Sequence, residues 1–274
     1  MSGDSAHCWI VVLDIENFSS RPDPIQRSLR SGMYEVLREA LVRAGLPVDD
    51  IVTEDRGDGV LMIVPATVSP IVLAGSFVHA LDDELKQKAM VYGPAHAMRF
   101  RVALHQGLAA RDGEGWSGDA VNTACRLVDA GPLREVLAAA ASSRMVFVVS
   151  GEIHRAVVRH GHRSIDPAAY LPMPFRTKHG ELIESWVTVP GSPAPLGLPA
   201  VAPDGPEEAG PARNDGPGAG ASPAAAPDGR GAAAGDPGNR PPPNGSGISV
   251  GTVNGDVFQG DKTVNVHTNG PIRP

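Results

Sequence analysis

The segment 121–126 (VNTACR) carries an amide and a guanidinium at a spacing that could bind a nucleotide. Asn122 and Arg126 are four residues apart on a predicted short helix, so their side chains share one face, one turn apart. A planar guanidinium beside an amide is well suited to contacting phosphate and ribose groups. An ordinary solvated helix face would show the same pattern, so the segment alone leaves both interpretations open.

Two aspartates are predicted to lie where strands end or turn. Asp14 comes at the end of the apolar run 8–15 (CWIVVLDI), which predicts a buried strand that presents a carboxylate at the edge of a sheet. Asp58 lies in the sequence Gly57-Asp58-Gly59, a tight hairpin signal between two β-prone runs. Each has a simpler explanation, because Asp caps helices and turns and Asp-Gly forms hairpin turns without any further role.

Alternating helices and strands must position these residues. Apolar periodicity and turn residues predict strands over 8–15, 51–56, 60–64, 98–108 and 145–149, and a closing hairpin over 175–177 and 183–189. They predict helices over 24–44 with Asp23 as cap, 70–88 with Ser69 as cap, 120–128, 133–141 and 152–159. Strands mixed with helices, including one clear hairpin, indicate an α+β or α/β fold with helices packed on a sheet.

Composition limits the class of protein. The chain has 274 residues and a formal net charge of -7, which argues against a general nucleic-acid binder because such proteins carry a basic stripe. No apolar run approaches the length of about 18 residues that a membrane span needs, and the N-terminus does not resemble a secretion signal. The two cysteines, Cys8 and Cys125, are too far apart in sequence to suggest a disulfide framework or a metal knuckle. We therefore expect a soluble cytoplasmic protein without a nucleic-acid or membrane partner.

The composition also divides the chain into three parts. Residues 6–190 have the alternating pattern of a globular domain. Residues 191–246 are about two-thirds Gly, Ala and Pro, so we predict a disordered linker that cannot bury enough surface to offset its ordering entropy. Residues 247–270 (GISVGTVNGDVFQGDKTVNVHTNG) regain valines, lack proline and form a short β-prone motif.

Taken together and in this order, several segments resemble the catalytic domain of class III nucleotidyl cyclases, the adenylate and guanylate cyclase family. The resemblance covers about residues 6–189, and its most specific part is 118–127 (GDAVNTACRL). The other segments are 14–19 (DIENFS), 56–60 (RGDGV), 101–107 (RVALHQG) and, more loosely, 175–189. The resemblance implies an α+β fold with a ferredoxin-like βαββαβ core.

The same resemblance implies a reaction and a set of roles. The ribose 3′-hydroxyl of a nucleoside triphosphate would attack its own α-phosphate, giving a cyclic nucleotide and pyrophosphate. Asp14, Asp58 and the carbonyl of Ile15 would hold two Mg²⁺ or Mn²⁺ ions, and hard oxygen ligands suit both metals. Asn122 would orient the ribose and Arg126 would stabilise charge on the α-phosphate. In the family the two halves of each site come from different subunits, which implies a homodimer.

The resemblance also suggests how the substrate is held. Backbone N–H groups around Phe18 and Ser19 would cradle phosphates, although Asn17 stands where many members have Gly. Lys178 could reach the triphosphate from the final hairpin. Glu54 occupies a position that influences base choice, where a carboxylate favours guanine and adenine-selective members usually have Lys. The segment 114–117, expected to hold the second base-reading position, has no clear counterpart, so ATP and the pyrimidine triphosphates stay open.

The tail supports a second hypothesis from a different class of function. Residues 247–270 are similar, at low specificity, to short glycine-spaced signalling motifs at the ends of bacterial immune-type proteins. The alternative to an active cyclase is therefore a catalytically silent, cyclase-like adaptor that recruits a protein partner through this motif. The presence of Asp14, Asp58, Asn122 and Arg126 together favours the enzyme, because an adaptor would not need all four.

Overall fold

The structure is a computed structural model that describes residues 5–193. Within that range the strands are β1 (Ala6–Ile15), β2 (Val52–Asp55), β3 (Gly59–Pro65), β4 (Phe100–Arg111), β5 (Trp116–Ser117), β6 (Met145–Ser150), β7 (Leu171–Pro172), β8 (Phe175–Arg176), β9 (Leu182–Ile183) and β10 (Ser185–Thr188). The helices are α1 (Asp23–Arg43), α2 (Pro70–Ala74), α3 (Ser76–Val91), α4 (Asp119–Val128), α5 (Gly131–Ala139) and α6 (Gly151–Ala156). Single 3-10 turns cover Val48–Asp50, Pro94–His96, Val158–His160 and Pro167–Ala169.

The main sheet has the strand order β2-β3-β1-β4-β6-β10-β7, with β5 paired to the end of β4. The strands β1, β2, β3 and β4 pair antiparallel with one another and, with α1 and α3 between them, form the predicted ferredoxin-like βαββαβ unit. β6 then adds parallel to β4, which requires a crossover that α4 and α5 supply. The predicted α+β fold is therefore confirmed.

Both faces of the sheet are covered, which explains why β1 is a continuous apolar run rather than an alternating one. Val11 and Leu13 pack in a core shared with α1 and α3. Ile10 and Val12 point to the opposite face and pack in a second core beneath α4 and α5. Asp14 continues the second set, so the alternation of the strand directs its carboxylate toward the α4 side.

The predicted helix over 70–88 is interrupted at Gly75, which separates α2 from α3. A Cβ atom at Gly75 would overlap the Ser164 hydroxyl and lie 2.9 Å from the Ile71 carbonyl oxygen. A distant segment of the chain therefore approaches the backbone at this point, and no local pattern announces it. At the start of α1, Pro22 occupies the cap position that we predicted for Asp23, which lies instead in the first turn.

The closing hairpin is also divided. β8 and β9 pair as predicted, but Ser185–Thr188 leaves them and joins β6 in the main sheet.

Among residues 5–193, none of the helices has the length and apolar character needed to cross a bilayer. The predicted linker over 191–246 extends beyond Pro193, and the motif at 247–270 lies wholly outside the described residues.

The backbones of β1 and β3 leave no room for a side chain at Gly59. A Cβ atom at Gly59 would overlap the carbonyl oxygen of Leu13 and lie 3.1 Å from the Cα of Asp14. Because these atoms belong to the backbone of β1, Gly59→Ala should lower the free energy of unfolding by about 1–3 kcal/mol in urea denaturation. Gly93→Ala is the matched control, since a Cβ there meets open space. Equal denaturation midpoints for the two variants would contradict the prediction.

Candidate functional site

Asp14 is held at the centre of the sheet by its neighbours on both sides. It is opposite Gly59 on β3 and Arg101 on β4. Its residue exposure is only 8%, and one carboxylate oxygen forms an ion pair with the Arg101 guanidinium. The other oxygen, Oδ1, is buried and has no hydrogen-bond partner within residues 5–193. A buried carboxylate with an unsatisfied oxygen is costly unless another group binds it.

The protonation of Asp14 reflects this burial. Burial raises the pKa of Asp14 from its ordinary value of 3.8 to about 6, and the Arg101 guanidinium opposes that shift. The negative charges of Asp58 and Asp129 raise the pKa further. A divalent cation at Oδ1 would reverse the balance, because a nearby positive charge favours the ionised carboxylate.

Backbone hydrogen bonds join the segments that carry Asp14 and Asp58. The Ile15 N–H donates to the Asp58 carbonyl oxygen at 2.9 Å. Asp58 is exposed at the turn between β2 and β3, whereas the Ile15 side chain is buried in the core. Only the backbone carbonyl of Ile15 is therefore available as a ligand, which is the role that the sequence resemblance implied for it.

The turn after β1 has a left-handed residue, although Asn and not Gly occupies that position. Asn17 has a φ of 55°, in the left-handed region where Gly is usual and Asn is tolerated. Asn therefore supports the turn expected of Gly at this position. Ser19 is exposed, but the Phe18 side chain is buried at 9% exposure in the α1 side of the core. Any contact of Phe18 with a phosphate would have to come from its backbone.

The helix α4 lines a cavity in the described chain. One face of α4 is buried in the second core and includes Val121, Ala124 and Leu127, so the opposite face is directed outward. Asn122 and Arg126 on that face line a cavity of about 630 Å³, whose remaining wall comes from the end of α4 and the β8–β9 hairpin. Three basic side chains of that hairpin contribute to the wall: Arg176, Lys178 and His179. The volume falls in the range of small-molecule sites. The basic lining residues outnumber the one acidic lining residue, Asp129, which suits an anion.

Arg126 forms an ion pair with a residue of the β8–β9 hairpin. Its Nη1 donates to the Glu181 carboxylate at 2.8 Å. The Glu181 side chain is 54% exposed, so water screens this ion pair and a phosphate group could replace the carboxylate at little cost. Sequence reasoning did not assign a role to Glu181, because the loop that brings it to α4 has no local signal.

Glu54 lies beside the segment expected to hold the second base-reading position. Its carboxylate accepts the Trp116 backbone N–H at 3.1 Å, and the Arg56 guanidinium donates to its other oxygen at 3.1 Å. A Cβ atom at Gly115 would come within 2.9 Å of this carboxylate. The structure thus brings Glu54 and 114–117 together, although they are about 60 residues apart in sequence.

The residues present fit a divalent metal site to which the protein contributes only a few of the ligands. Within the described part of the chain, no group of three or more His, Cys, Asp or Glu side chains is placed to enclose an ion. Asp14, Asp58 and the Ile15 carbonyl would instead supply a partial set of oxygen ligands. Mg²⁺ is commonly bound in this way, through one or two carboxylates completed by substrate phosphates and water.

The structure also shows partners that the sequence did not reveal. Arg101 belongs to a segment that carries the family resemblance, yet its pairing with Asp14 depends on the register between β1 and β4. Arg99 bonds to the Glu16 carboxylate at 3.0 Å and to the Ala140 carbonyl at 2.9 Å, which ties the end of β1 to the end of α5. In the sequence, Arg99 and Arg101 are two residues apart on the predicted strand over 98–108, and this spacing was the available signal for their two contacts.

Comparisons with known proteins agree with the fold. No protein-family model matches the chain, and no curated protein matches it. An adenylate/guanylate cyclase/hydrolase structure from Silicibacter pomeroyi is 16% identical, with 69% of this chain and 99% of that chain covered and a TM-score of 0.50. A bacterial light-regulated adenylyl cyclase is 16% identical, with 69% and 54% covered and a TM-score of 0.51. The likeness establishes that this chain has the fold of the adenylate/guanylate cyclase catalytic domain.

The raised pKa of Asp14 predicts how stability depends on pH. The folded chain binds this proton more tightly than the unfolded chain, so stability should fall as the pH rises from about 4 to about 6. The interval corresponds to roughly 3 kcal/mol for this one group. In Asp14→Asn this fall in stability should disappear. The substitution also removes the ion-pair partner of Arg101, so the comparison is between the pH slopes and not between the absolute stabilities. The measurement is urea denaturation at several pH values with EDTA present.

Asp50→Asn serves as the control for this experiment, because Asp50 is exposed on a 3-10 turn. It should keep the pH slope of the unaltered chain. If Asp14→Asn and the unaltered chain have the same slope between pH 4 and 6, Asp14 does not hold the raised pKa.

Proposed function

We propose that this chain is a nucleotidyl cyclase that converts a nucleoside triphosphate into a 3′,5′-cyclic nucleotide and pyrophosphate. The observation that carries the proposal is the cavity of about 630 Å³ in which Asn122 and Arg126 lie beside the basic residues Arg176, Lys178 and His179. A polyphosphate is the anion that matches this much positive charge, and the amide of Asn122 can hydrogen-bond a ribose hydroxyl. The cyclase fold supports the same conclusion.

In the proposed reaction the 3′-hydroxyl of the ribose gives its proton to water, and its oxygen forms a bond to the α-phosphorus. The bond from the α-phosphorus to the bridging oxygen of the β-phosphate breaks, which releases pyrophosphate. Asn122 would fix the ribose so that its 3′-oxygen faces the α-phosphate. Arg126 would leave Glu181 and donate to the oxygens on which negative charge develops. Lys178 would hold the pyrophosphate end. Divalent ions held by Asp14 and Asp58 would supply a lower pKa for the attacking hydroxyl and neutralise the leaving pyrophosphate.

For the base we propose guanine, on the chemistry of Glu54. Its carboxylate is an acceptor, and the Watson–Crick edge of guanine offers adjacent N–H donors, whereas the adenine ring nitrogen N1 is an acceptor. Arg56, paired with Glu54, adds a donor beside that acceptor. ATP and the pyrimidine triphosphates UTP and CTP are the alternative substrates.

A panel of the four nucleoside triphosphates tests the activity. With Mn²⁺ present, the purified chain should form a cyclic product, with GTP as the best substrate. Asn122→Ala and Arg126→Ala should each lower the rate by about 10²–10³-fold, since each removes a contact made in the transition state. Arg38→Ala is the control and should keep the rate, because Arg38 is exposed on α1 and forms its ion pair with the neighbouring Glu39. Product is measured by liquid chromatography and mass spectrometry.

If no triphosphate gives a product while the protein is folded and dimeric, the cyclase proposal fails. The alternative, a silent adaptor acting through residues 247–270, would then account for the retained fold. Pull-down with and without that segment would follow.

We also propose that two copies share each active site, with Asp14 and Asp58 from one subunit facing Asn122 and Arg126 from its partner. Among the described residues, neither aspartate lines the cavity that Asn122 and Arg126 line, which accords with a site completed by a second copy. Mixing equal amounts of inactive Asp58→Ala and inactive Arg126→Ala should restore up to about a quarter of the activity of the unaltered protein, because about half of the dimers are mixed and each mixed dimer has one of its two sites with neither substitution.

The restored activity should follow the fraction of mixed dimers, measured by tagging one variant. A mixture that forms mixed dimers and has no activity would rule out shared sites. Either variant mixed with itself is the control.

A further inference from the structure

A charged cluster on the α1 side holds the hairpin that presents Asp58. The Arg30 guanidinium, on α1, donates to both carboxylate oxygens of Asp55, one of them at 3.0 Å, and to the Gly57 carbonyl oxygen at 2.8 Å. The Asp55 oxygen Oδ1 also accepts the Gly57 N–H at 2.7 Å. One guanidinium and one carboxylate thus bond both polar backbone groups of Gly57, the residue that precedes Asp58.

This cluster contributes little to overall stability. The side chains of Arg30 and Asp55 are 37% and 42% exposed, and ion pairs at such exposure are typically worth less than about 1 kcal/mol. Its geometry, however, is specific. A bidentate pair that also binds a backbone carbonyl needs the planar fork of arginine, which lysine cannot reproduce. The cluster is therefore better suited to fixing the shape of the turn than to holding the fold together.

The other side of the same turn is fixed by β1. The Asp58 carbonyl accepts the Ile15 N–H at 2.9 Å, and within the hairpin the Arg56 N–H donates to the Gly59 carbonyl at 2.9 Å. Arg30 on α1 and Asp55 at the end of β2 supply the anchor on the opposite side, and α1 contributes no residue to the cavity. Between these two anchors the Asp58 side chain is exposed to solvent.

We propose that Arg30 and Asp55 are positioning residues that set the backbone of 56–58 so that the Asp58 carboxylate is held ready for a divalent cation. The inference rests on the proposed function in that it takes Asp58 as a metal ligand. Outer groups that orient a metal-binding side chain typically change metal affinity or activity by 10–100-fold when they are removed. Arg30 acts on the metal only through the hairpin.

The test is Mn²⁺ binding by Arg30→Gln in the full chain, measured by calorimetry without nucleotide. The apparent Kd for Mn²⁺ should rise about 10–100-fold, while the melting temperature in EDTA changes by less than about 4 °C. In the same EDTA samples, hydrogen exchange of the Gly57, Asp58 and Gly59 amides should become faster. Arg30→Lys should give most of the loss, because lysine keeps the charge but not the fork.

Arg43→Gln is the matched control. Arg43 is on the same helix and forms a comparable ion pair with Glu84 at 2.7 Å, but the pair lies away from the hairpin. It should leave both the Mn²⁺ affinity and the exchange rates unchanged. Combining Arg30→Gln with Asp55→Asn should cost no more than the larger single effect, because the two side chains act as one unit.

Failure of this inference can be told apart from failure of the proposed function. Unchanged amide exchange in Arg30→Gln overturns the positioning role, whether or not the chain makes a cyclic nucleotide. Unchanged Mn²⁺ affinity in Arg30→Gln, in a chain whose affinity is lost in Asp58→Ala, overturns it as well. A chain that binds Mn²⁺ through Asp58 and forms no cyclic product removes the cyclase proposal and leaves the positioning role intact.

Discussion

The antiparallel pairing of β1 with β3 on one side and β4 on the other is the constraint on which the remaining structure depends. It places Asp14 opposite Gly59 and Arg101, and the adjoining Ile15 N–H binds the Asp58 carbonyl. A shift of one residue in this register would turn Asp14 to the α1 side of the sheet and bury it among apolar residues. The close contact at Gly59 opposes such a shift, because the two backbones fit only where a side chain is missing.

The helix α4 links the core to the cavity. Its apolar positions are completely or almost completely buried against the sheet, so the orientation of the helix about its own axis is fixed by packing. That orientation leaves Asn122 and Arg126 together on the outward face. The packing of α4 therefore orients Asn122 and Arg126. A further contact comes from the β8–β9 hairpin, whose Glu181 accepts a hydrogen bond from Arg126. A rigid element with an exposed polar face is a favourable support for residues that must meet a ligand in a defined geometry.

The sequence was most informative where local patterns determine structure. The apolar run of β1, the Gly57-Asp58-Gly59 turn and the periodicity of α4 each predicted an element that the structure contains. The ferredoxin-like order came from the family resemblance, and the structure confirms it. Reasoning from one sequence could not place Arg101 against Asp14 or divide the second helix at Gly75, since both depend on chain segments that are distant in sequence. The pairing of Arg30 with the hairpin has the same origin.

The turn at Asn17 bears on how such domains are found. A search pattern written with an obligatory glycine there would reject this chain, although its backbone at Asn17 takes up the left-handed conformation that glycine readily adopts. The physical requirement is a residue that tolerates a positive φ, and asparagine satisfies it better than most. Patterns that state the allowed dihedral angle, rather than one amino acid, would retrieve divergent sequences that identity alone leaves unrecognised.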